Sequence, residues 1–469
     1  MASPPLASIL QNPSWLAGWY IVSFVLFVYG LSRVAKPTTA RQGNIIAGVG
    51  MLIAFLVTLG DSRVGNYGWI AVGIVVGTLI GVPAARSVKM TAMPQMVALF
   101  NGVGGGAVFL IAWVEFRHAH GNPPFQEELF SLFAAIIGSI SFWGSLVAFG
   151  KLQEILPGRP IKAPGQAIIN AALMVTAVVL AVVLLAGSTS EAIFVGMLVA
   201  AALVGLLAVL PIGGADMPVV ISGLNAFTGL SAAGTGIALG NTALIVAGTL
   251  VGASGSILTN LMAKAMNRSI PAIAAGGFGG GVAAPKKEGE EDRPIHQTDA
   301  QDAATQLSQA SKVVIVPGYG LAVAQAQRAV ADLASALEER GVDVEYAIHP
   351  VAGRMPGHMN VLMAEVEVPY EKLKEMEEIN PEFEGTDLAL IIGANDVTNP
   401  AARDDESSPI YGMPILEVDK SRRVIVIKRS MSPGFAGIDN DLFYGENTQM
   451  MFADAKSGVS DIQKQLESL

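Results

Sequence analysis

The stretch Val313-Val-Ile-Val-Pro-Gly-Tyr-Gly-Leu-Ala-Val-Ala-Gln-Ala-Gln327 decides the fold of the C-terminal part of the chain. Its β-branched run predicts a buried strand, Gly318-x-Gly320 predicts a tight turn, and the residues that follow predict a helix. In parallel α/β folds, this arrangement places backbone N–H groups and a helix N-terminus against the pyrophosphate of a dinucleotide. Val323 stands where the third glycine of such turns falls, so the motif indicates a dinucleotide only through its setting between strand and helix.

Composition divides the chain into two unlike parts. Of the 469 residues, 52% are hydrophobic and 14% are charged, which is outside the usual range for soluble proteins. Acids and bases are sparse before Lys264 and dense after Lys286, where the excess of acids that makes the net charge −10 arises. The acidic half has no long basic run, which argues against a nucleic-acid partner. The absence of cysteine excludes disulfides, thiol catalysis and Cys-ligated metals, and we expect no metal site.

The first part reads as a helical membrane bundle in a lipid bilayer. Nine apolar runs are each long enough to span a bilayer, which takes about 20 residues: 16–34, 43–60, 68–85, 93–114, 129–149, 167–187, 192–211, 218–238 and 241–262. Lys and Arg concentrate in alternate loops, which predicts an outside N-terminus and a cytoplasmic C-terminal domain.

Few ionisable or amide groups lie within the predicted spans, and such groups are functional candidates by default. Asp216 lies at the cytoplasmic mouth of the eighth span, Asn225 follows on the same helix, and Asn101 lies inside the fourth span. Asp216 precedes Met217-Pro218, so a helix cap and a role in moving or gating protons are both open. None of the five histidines falls within a span, so the bundle has no imidazole of its own to relay protons.

Alternating strand and helix patterns after Ser311 predict a Rossmann-like α/β domain with a parallel sheet. We predict three regions: a membrane domain at 1–268, a flexible Gly-rich and charged linker at 269–310, and the nucleotide domain at 311–469. The linker is a tether for domain movement or a plain spacer. Predicted strands are 312–317, 343–348, 387–392, 414–418, 423–428 and 449–453. Predicted helices are 320–340, 357–366, 370–379 and 455–468.

The loops of this domain favour NADP over NAD. The second strand ends at Ile348-His349 without the acid that NAD-binding domains use to hold the ribose 2′-OH. Lys428-Arg429-Ser430 follows a later strand, and two cations beside a hydroxyl suit a phosphate monoester. The alternative is that Lys428 and Arg429 are ordinary solvated residues at a strand end. Three more loops have the character of a ligand site: 349–358, 393–400 and 430–437, the last as a lid.

These blocks together closely resemble the β subunit of proton-translocating nicotinamide nucleotide transhydrogenase. The matching blocks are PGYGLAVAQAQ, HPVAGRMPGHMNVL, GANDVTNPAA, KRSMSPGFAG, GGADMPVV and KAMNRS, and the resemblance covers nearly the whole chain. It implies hydride transfer from NADH on a partner α subunit to NADP⁺ on this chain, coupled to inward proton translocation. It also implies an α subunit with further membrane helices, a dimer of such heteromers, and the inner (plasma) membrane as the location.

The resemblance also assigns residues. Gly318, Gly320 and Val323 match the nucleotide turn, Lys428 and Arg429 the 2′-phosphate clamp, and Arg354 a pyrophosphate contact. Asn395 and Asp396 match groups beside the nicotinamide and ribose, with Asp396 also a catalytic candidate, and Asp216 and Asn225 match positions implicated in proton coupling. Within the same blocks we expect further cofactor contacts from Tyr319, Gly393, Ser430, Gly434 and Phe435.

Two positions depart from the family pattern. Asn101 in Met93-Pro-Gln-Met-Val-Ala-Leu-Phe-Asn101 stands where some members have a histidine on the proton path, and Phe435 stands where many have tyrosine. The imidazole then comes from a partner subunit, or water serves instead. The rival function is a channel or carrier regulated by a nucleotide-sensing domain, but the spans contain no Thr-Val-Gly-Tyr-Gly-like filter of a potassium channel.

Overall fold

The structure is a computed structural model that describes most of the chain. The described residues are 13–34, 37–61, 64–89, 92–118, 124–158, 160–266, 269–274, 293–353, 357–408, 410–434 and 436–469. The glycine-rich and charged stretch at 275–292, which forms the middle of the predicted linker, lies outside them. So do two of the predicted cofactor contacts, Arg354 and Phe435.

The predicted membrane bundle is confirmed. Within the described residues, nine helices are long and apolar enough to cross a membrane, and each corresponds to one predicted span. They are α1 (Pro13–Val34), α2 (Pro37–Leu59), α3 (Tyr67–Ser87), α4 (Met93–His118), α5 (Phe125–Leu152), α6 (Gln166–Leu185), α7 (Glu191–Val209), α8 (Met217–Ala238) and α9 (Thr242–Ala265).

Glycines bring the helices of the bundle into backbone contact. A Cβ atom on Gly105 of α4 would lie 2.9 Å from the carbonyl oxygen of Gly138 on α5, and one on Gly229 of α8 would overlap the backbone of Gly252 on α9. Hydrocarbon provides no hydrophobic drive for association, so membrane helices depend on this close packing. The glycines of α4 therefore fit a regular, tightly packed helix, and α4 runs unbroken through the Gly102–Gly106 cluster.

The C-terminal part contains the predicted parallel sheet with helices. Among the described residues, its strands are β1 (Lys312–Pro317), β2 (Asp343–Ile348), β3 (Leu373–Glu375), β4 (Leu388–Ile392), β5 (Arg423–Lys428) and β6 (Thr448–Phe452). All pairs are parallel, in the order β3-β2-β1-β4-β5-β6. This is the strand order of dinucleotide-binding folds. Successive strands are added towards one edge of the sheet up to β3 and towards the other edge from β4, so the switch point lies between β1 and β4. Apolar residues are buried on both faces of the sheet.

Several predicted elements differ from those found. The helix predicted at 320–340 is two helices, α12 (Tyr319–Ala324) and α13 (Gln327–Glu338), because Gln325 adopts a left-handed conformation with φ of 51°. The segment 414–418 is not a strand. Its backbone is bound instead by the side chain of Asn380, which donates to the carbonyl oxygen of Ile415 at 3.0 Å and accepts from the N–H of Glu417 at 3.1 Å. The helix predicted at 370–379 contains β3 and a single helical turn, α15 (Met376–Ile379).

Part of the predicted linker is folded. Helix α10 (Ile270–Ala274) follows the bundle, and α11 (Ala300–Gln309) precedes β1. Asp299 caps α11 by accepting a hydrogen bond from the N–H of Asp302 at 2.9 Å. The buried Ala303, Ala304 and Leu307 of α11 belong to the same apolar core as the C-terminal helix α17 (Ala455–Ser468). Residues before Ser311 therefore contribute to the nucleotide domain. The remaining helices are α14 (His358–Glu365) and α16 (Ala401–Asp404).

Candidate functional site

A cavity of about 410 Å³ opens at the carboxyl ends of β1, β4 and β5. This volume lies in the range of small-molecule sites, and the position is where open parallel sheets bind ligands. The predicted cofactor residues that line it are Gly318, Tyr319, Gly320, Gly393, Asn395, Asp396, Lys428, Arg429, Ser430 and Gly434. Val323 does not line it, and its side chain is half exposed.

The glycines of this cavity hold two loops together. The N–H of Gly318 donates to the carbonyl oxygen of Ile392 at 2.9 Å, and the N–H of Gly320 donates to that of Gly393 at 2.9 Å. A Cβ atom on Gly318 would overlap the backbone of Ala394, and one on Gly320 would lie 2.8 Å from the Cα of Gly393. Gly393 itself has a φ of +69°, which favours glycine. The glycines of the Gly-x-Gly turn are thus needed for the packing of the loops after β1 and β4, independently of any ligand.

Lys428 is not an ordinary solvated lysine. Its ammonium donates to the carbonyl oxygen of Ser432 at 2.6 Å and lies 4.7 Å above the ring of Phe443. Burial lowers the pKa of Lys428, while the negative charges of Asp396 and Asp439 act in the opposite direction. Arg429 is exposed. A half-buried cation beside an exposed one at the mouth of a cavity is suited to an anionic group of a ligand.

The segment 430–437, predicted as a lid, is bonded to the loop after β4. The carboxylate of Asp396 accepts from the N–H of Ala436 at 2.9 Å. In the amide orientation that satisfies its neighbours, the oxygen of Asn395 accepts from Lys428 Nζ at 3.0 Å and from the N–H of Gly434 at 2.7 Å. Asn395 and Asp396 therefore connect Lys428, the segment 430–437 and the cavity.

The loop after β2 contains a buried histidine. His349 lies with Nε2 2.8 Å from the carbonyl oxygen of Pro414, and its Nδ1 accepts from the N–H of Val351 at 3.2 Å. Nε2 must then carry the proton, because Nδ1 is an acceptor. Burial lowers the pKa of His349 to about 4, so the ring is neutral near pH 7.

Val351–Gly353 line the cavity from the predicted ligand loop 349–358, whereas the lining residues Ala453–Ala455, between β6 and α17, escaped the sequence analysis. They had a usable signal. Asp454 lies between a predicted strand and a predicted helix, and it caps α17 by accepting from the N–H of Lys456 at 3.0 Å. Such a strand–helix turn lies at the same edge of a parallel sheet as Gly318.

Asp216 is fully buried at the end of the bundle. It ends the 3₁₀ turn Gly214–Asp216 and stands at the N-cap position of α8, but its side chain makes no capping hydrogen bond. The capping interpretation is therefore not supported. Lys151 is also buried, and its ammonium donates to the carbonyl oxygens of Leu210 and, at 2.7 Å, Ile212. Lys151 thus holds the connection that leads into the Asp216 turn.

Asn101 belongs to a buried polar cluster in the middle of the bundle. Its Nδ2 donates to Ser145 Oγ at 2.9 Å and to Ser141 Oγ at 3.3 Å, both on α5. Ser141 Oγ lies 2.6 Å from Thr228 Oγ1 on α8. Asn225 is half-buried one turn before Thr228. The structure thus gathers Asn101 of α4 with hydroxyl groups of two other helices, α5 and α8.

The described parts of the bundle and of the C-terminal domain are in contact at Val351. Val351 lines the nucleotide cavity and also packs against a buried apolar cluster of the bundle that includes Met217 and Ile273. Met217 directly follows Asp216. The loop after β2 therefore lies against the end of the bundle that contains Asp216.

Comparison with known proteins identifies the family. The family model described as PNTB, NAD(P) transhydrogenase beta subunit, matches residues 17–465. The chain belongs to this family. It is 50% identical over 456 residues to the NAD(P) transhydrogenase subunit beta of Rhodospirillum rubrum, and equally to that of a named strain of this species. Each alignment covers 94% of this chain and 97% of the relative.

Membership confirms the predicted function and does not favour the regulated channel or carrier. The chain is the beta subunit of a membrane enzyme that uses nicotinamide nucleotides, and an alpha subunit is its partner. The long apolar helices and the parallel-sheet domain agree with this assignment.

Proposed function

We propose that this chain binds NADP(H) in the cavity at the carboxyl ends of β1, β4 and β5, while the alpha subunit binds NAD(H). The observation that carries the proposal is the placement of Lys428, Arg429 and Ser430 together on the cavity wall. Two cations and a hydroxyl suit a phosphate monoester, the group that distinguishes NADP from NAD. His349, at the end of β2, stands where NAD sites place their acid, and it is neutral.

The rest of the cavity fits a dinucleotide. The close approach of the Gly318 and Gly393 loops leaves backbone at the cavity floor without side chains, as a pyrophosphate requires. Asn395 and Asp396 lie on the opposite loop, where they are placed to hold the nicotinamide and its ribose. The nicotinamide supplies the hydride chemistry, and the protein residues position it and exclude water.

The proposed proton path runs through the polar groups of α4, α5 and α8. Asn101, Ser141, Ser145 and Thr228 form its buried centre, Asn225 lies on the same helix as Thr228, and Asp216 is its cytoplasmic end. Hydroxyl and amide groups can order a chain of water molecules but do not themselves change charge near pH 7. An imidazole of the alpha subunit, or water alone, then completes the path.

Coupling requires that the protonation state of the bundle changes the affinity for NADP(H), and reciprocally. The contact of Val351 with the cluster around Met217 is the proposed link, because it touches both sites. One charge moving through about 200 mV releases about 4–5 kcal/mol. This free energy changes the equilibrium ratio of products to reactants about a thousandfold.

The same proposal covers location and assembly. The concentration of Lys and Arg in alternate loops supports an outside N-terminus and a cytoplasmic nucleotide domain in the inner (plasma) membrane. We further propose a dimer of heteromers, each with one such chain and the alpha subunit that carries NAD(H) and additional membrane helices.

A binding experiment tests the site. NADPH and NADH are titrated into the purified full chain in detergent by calorimetry, with Lys428→Ala/Arg429→Ala and the control Lys464→Ala, whose side chain is 72% exposed on α17. We expect the double variant to lose about a hundredfold in NADPH affinity, since a hydrogen bond to a charged group contributes about 1.5 kcal/mol or more. Equal losses for NADPH and NADH would refute the assignment.

A further inference from the structure

Arg293 forms a clamp on the segment that follows the lid. Its guanidinium contacts Asp441 Oδ1 at 2.6 Å and Asp439 Oδ2 at 3.4 Å, and it lies 3.9 Å above the ring of Tyr444. Tyr444 in turn donates its hydroxyl proton to Asp439 Oδ2 at 2.6 Å. An isolated surface ion pair contributes little. Here one cation is fixed by two carboxylates and an aromatic face, so its position is well defined.

The clamped segment, residues 439–444, touches the NADP(H) site at two points. The side chain of Asn440 donates to the carbonyl oxygen of Asn395 at 3.0 Å. The ring of Phe443 lies beneath the ammonium of Lys428. The segment therefore supports both the loop after β4 and the lysine of the 2′-phosphate clamp.

Asp439 also acts on Lys428 through its charge. Its carboxylate is among the groups that favour the charged form of Lys428. A carboxylate near this ammonium competes with a bound phosphate for the same cation, by simple Coulomb repulsion of the two anions. Arg293 and Tyr444 bind the Asp439 carboxylate and so reduce this competition.

We propose that Arg293 is a positioning residue that sets the preference of the site for the 2′-phosphate of NADP(H). By holding Asp439 and Asp441, it keeps their negative charge paired and leaves Lys428 available to the phosphate. This inference rests on the proposed NADP(H) site.

The test compares NADPH and NADH binding to the full chain in detergent at low and high salt. Arg293→Gln is expected to lower NADPH affinity about tenfold, with NADH affinity unchanged, since tenfold corresponds to about 1.4 kcal/mol. The loss should shrink at high salt, because screening weakens interactions between exposed charges. Arg423→Gln is the matched control, because Arg423 is exposed at the opposite end of β5.

A second variant separates this role from a structural one. Adding Asp439→Asn to Arg293→Gln removes the competing carboxylate and should restore most of the NADPH affinity, although it restores no contact of Arg293. Unchanged NADPH binding in Arg293→Gln, or a loss that Asp439→Asn does not rescue, would overturn the inference. If the unaltered chain itself shows no preference for NADPH over NADH, the proposed NADP(H) site fails instead.

Discussion

Asn101 on α4 donates a hydrogen bond to Ser145 on α5, with 2.9 Å between Nδ2 and Oγ, while the Oδ1 of Asn101 has no hydrogen-bond partner among the described residues. A buried carbonyl oxygen without a partner costs free energy unless water or another group reaches it. The cluster is thus suited to hold an ordered water molecule between α4 and α5.

This cluster gives the first prediction. Ser145→Ala removes one hydroxyl from the proposed proton path, and we expect proton-coupled turnover to fall by about fivefold or more, the equivalent of one hydrogen bond of about 1 kcal/mol. The measurement is the rate of coupled hydride transfer in vesicles with the alpha subunit. Ser254→Ala is the control, because Ser254 is exposed on α9 and bonds only within its own helix. Equal rates for the two variants would remove Ser145 from the path.

The second prediction concerns the turn after β1. Gly318→Ala places a Cβ atom into the backbone of Ala394, so the loops after β1 and β4 must separate. We expect the nucleotide domain to lose about 1–3 kcal/mol of stability, as in other overpacked sites, and to lose NADPH binding. Urea unfolding and NADPH titration of the full chain in detergent measure the two effects.

Gly385→Ala is the matched control for this substitution. No atom lies within 4 Å of a Cβ atom at Gly385, and the residue is in the same domain. If Gly318→Ala binds NADPH as well as Gly385→Ala does, the close contact of the two loops is not required.

The third prediction concerns pH. The pKa of His349 is about 4 in the folded domain, below the ordinary value of 6.5, because burial disfavours the charged ring. The unfolded chain therefore binds a proton that the folded domain does not, and the stabilisation present above about pH 6.5 is lost as the pH falls towards 4. The full loss is on the order of 3 kcal/mol.

Urea unfolding of the C-terminal domain in detergent, followed by circular dichroism between pH 7 and pH 4, measures this loss. His349→Gln introduces an amide that can donate and accept hydrogen bonds but does not titrate. The stability of this variant should therefore depend less on pH. His296→Gln replaces an exposed histidine of the same domain and should behave like the unaltered chain. The same pH dependence in His349→Gln as in the unaltered chain would assign the effect to other groups.

Much of this architecture follows from local sequence pattern. Hydropathy located each of the membrane-spanning helices in the described residues, because the bilayer sets helix length. The β-branched runs at β1, β4 and β5 and the Gly-x-Gly turn located the cavity, because parallel strands place their carboxyl ends at one edge. The basic pair at the end of β5 marked one wall of the cavity because of its charge alone.

The remaining features depend on tertiary contacts that no local pattern contains. Strand β3 has only three residues and forms by pairing with β2. The contact of Val351 with the bundle joins residues far apart in the chain, and the burial of Lys151 depends on the carbonyl groups of Leu210 and Ile212. Asn395 and Asp396 were found through family blocks, while their bonds to the lid became visible only in the fold.

In the proposed mechanism, this chain couples hydride transfer to proton movement through Asp216. The most direct test uses proteoliposomes that contain the chain with its alpha subunit and an internal pH-sensitive dye, with NADPH and an oxidised NAD analogue added outside. Complexes whose nucleotide domains face outward should acidify the lumen. Asp216→Asn should abolish acidification, whereas the control Glu115→Gln, an exposed carboxylate at the end of α4, should retain it. Full acidification by Asp216→Asn, or hydride transfer by the unaltered complex without any pH change, would contradict the account.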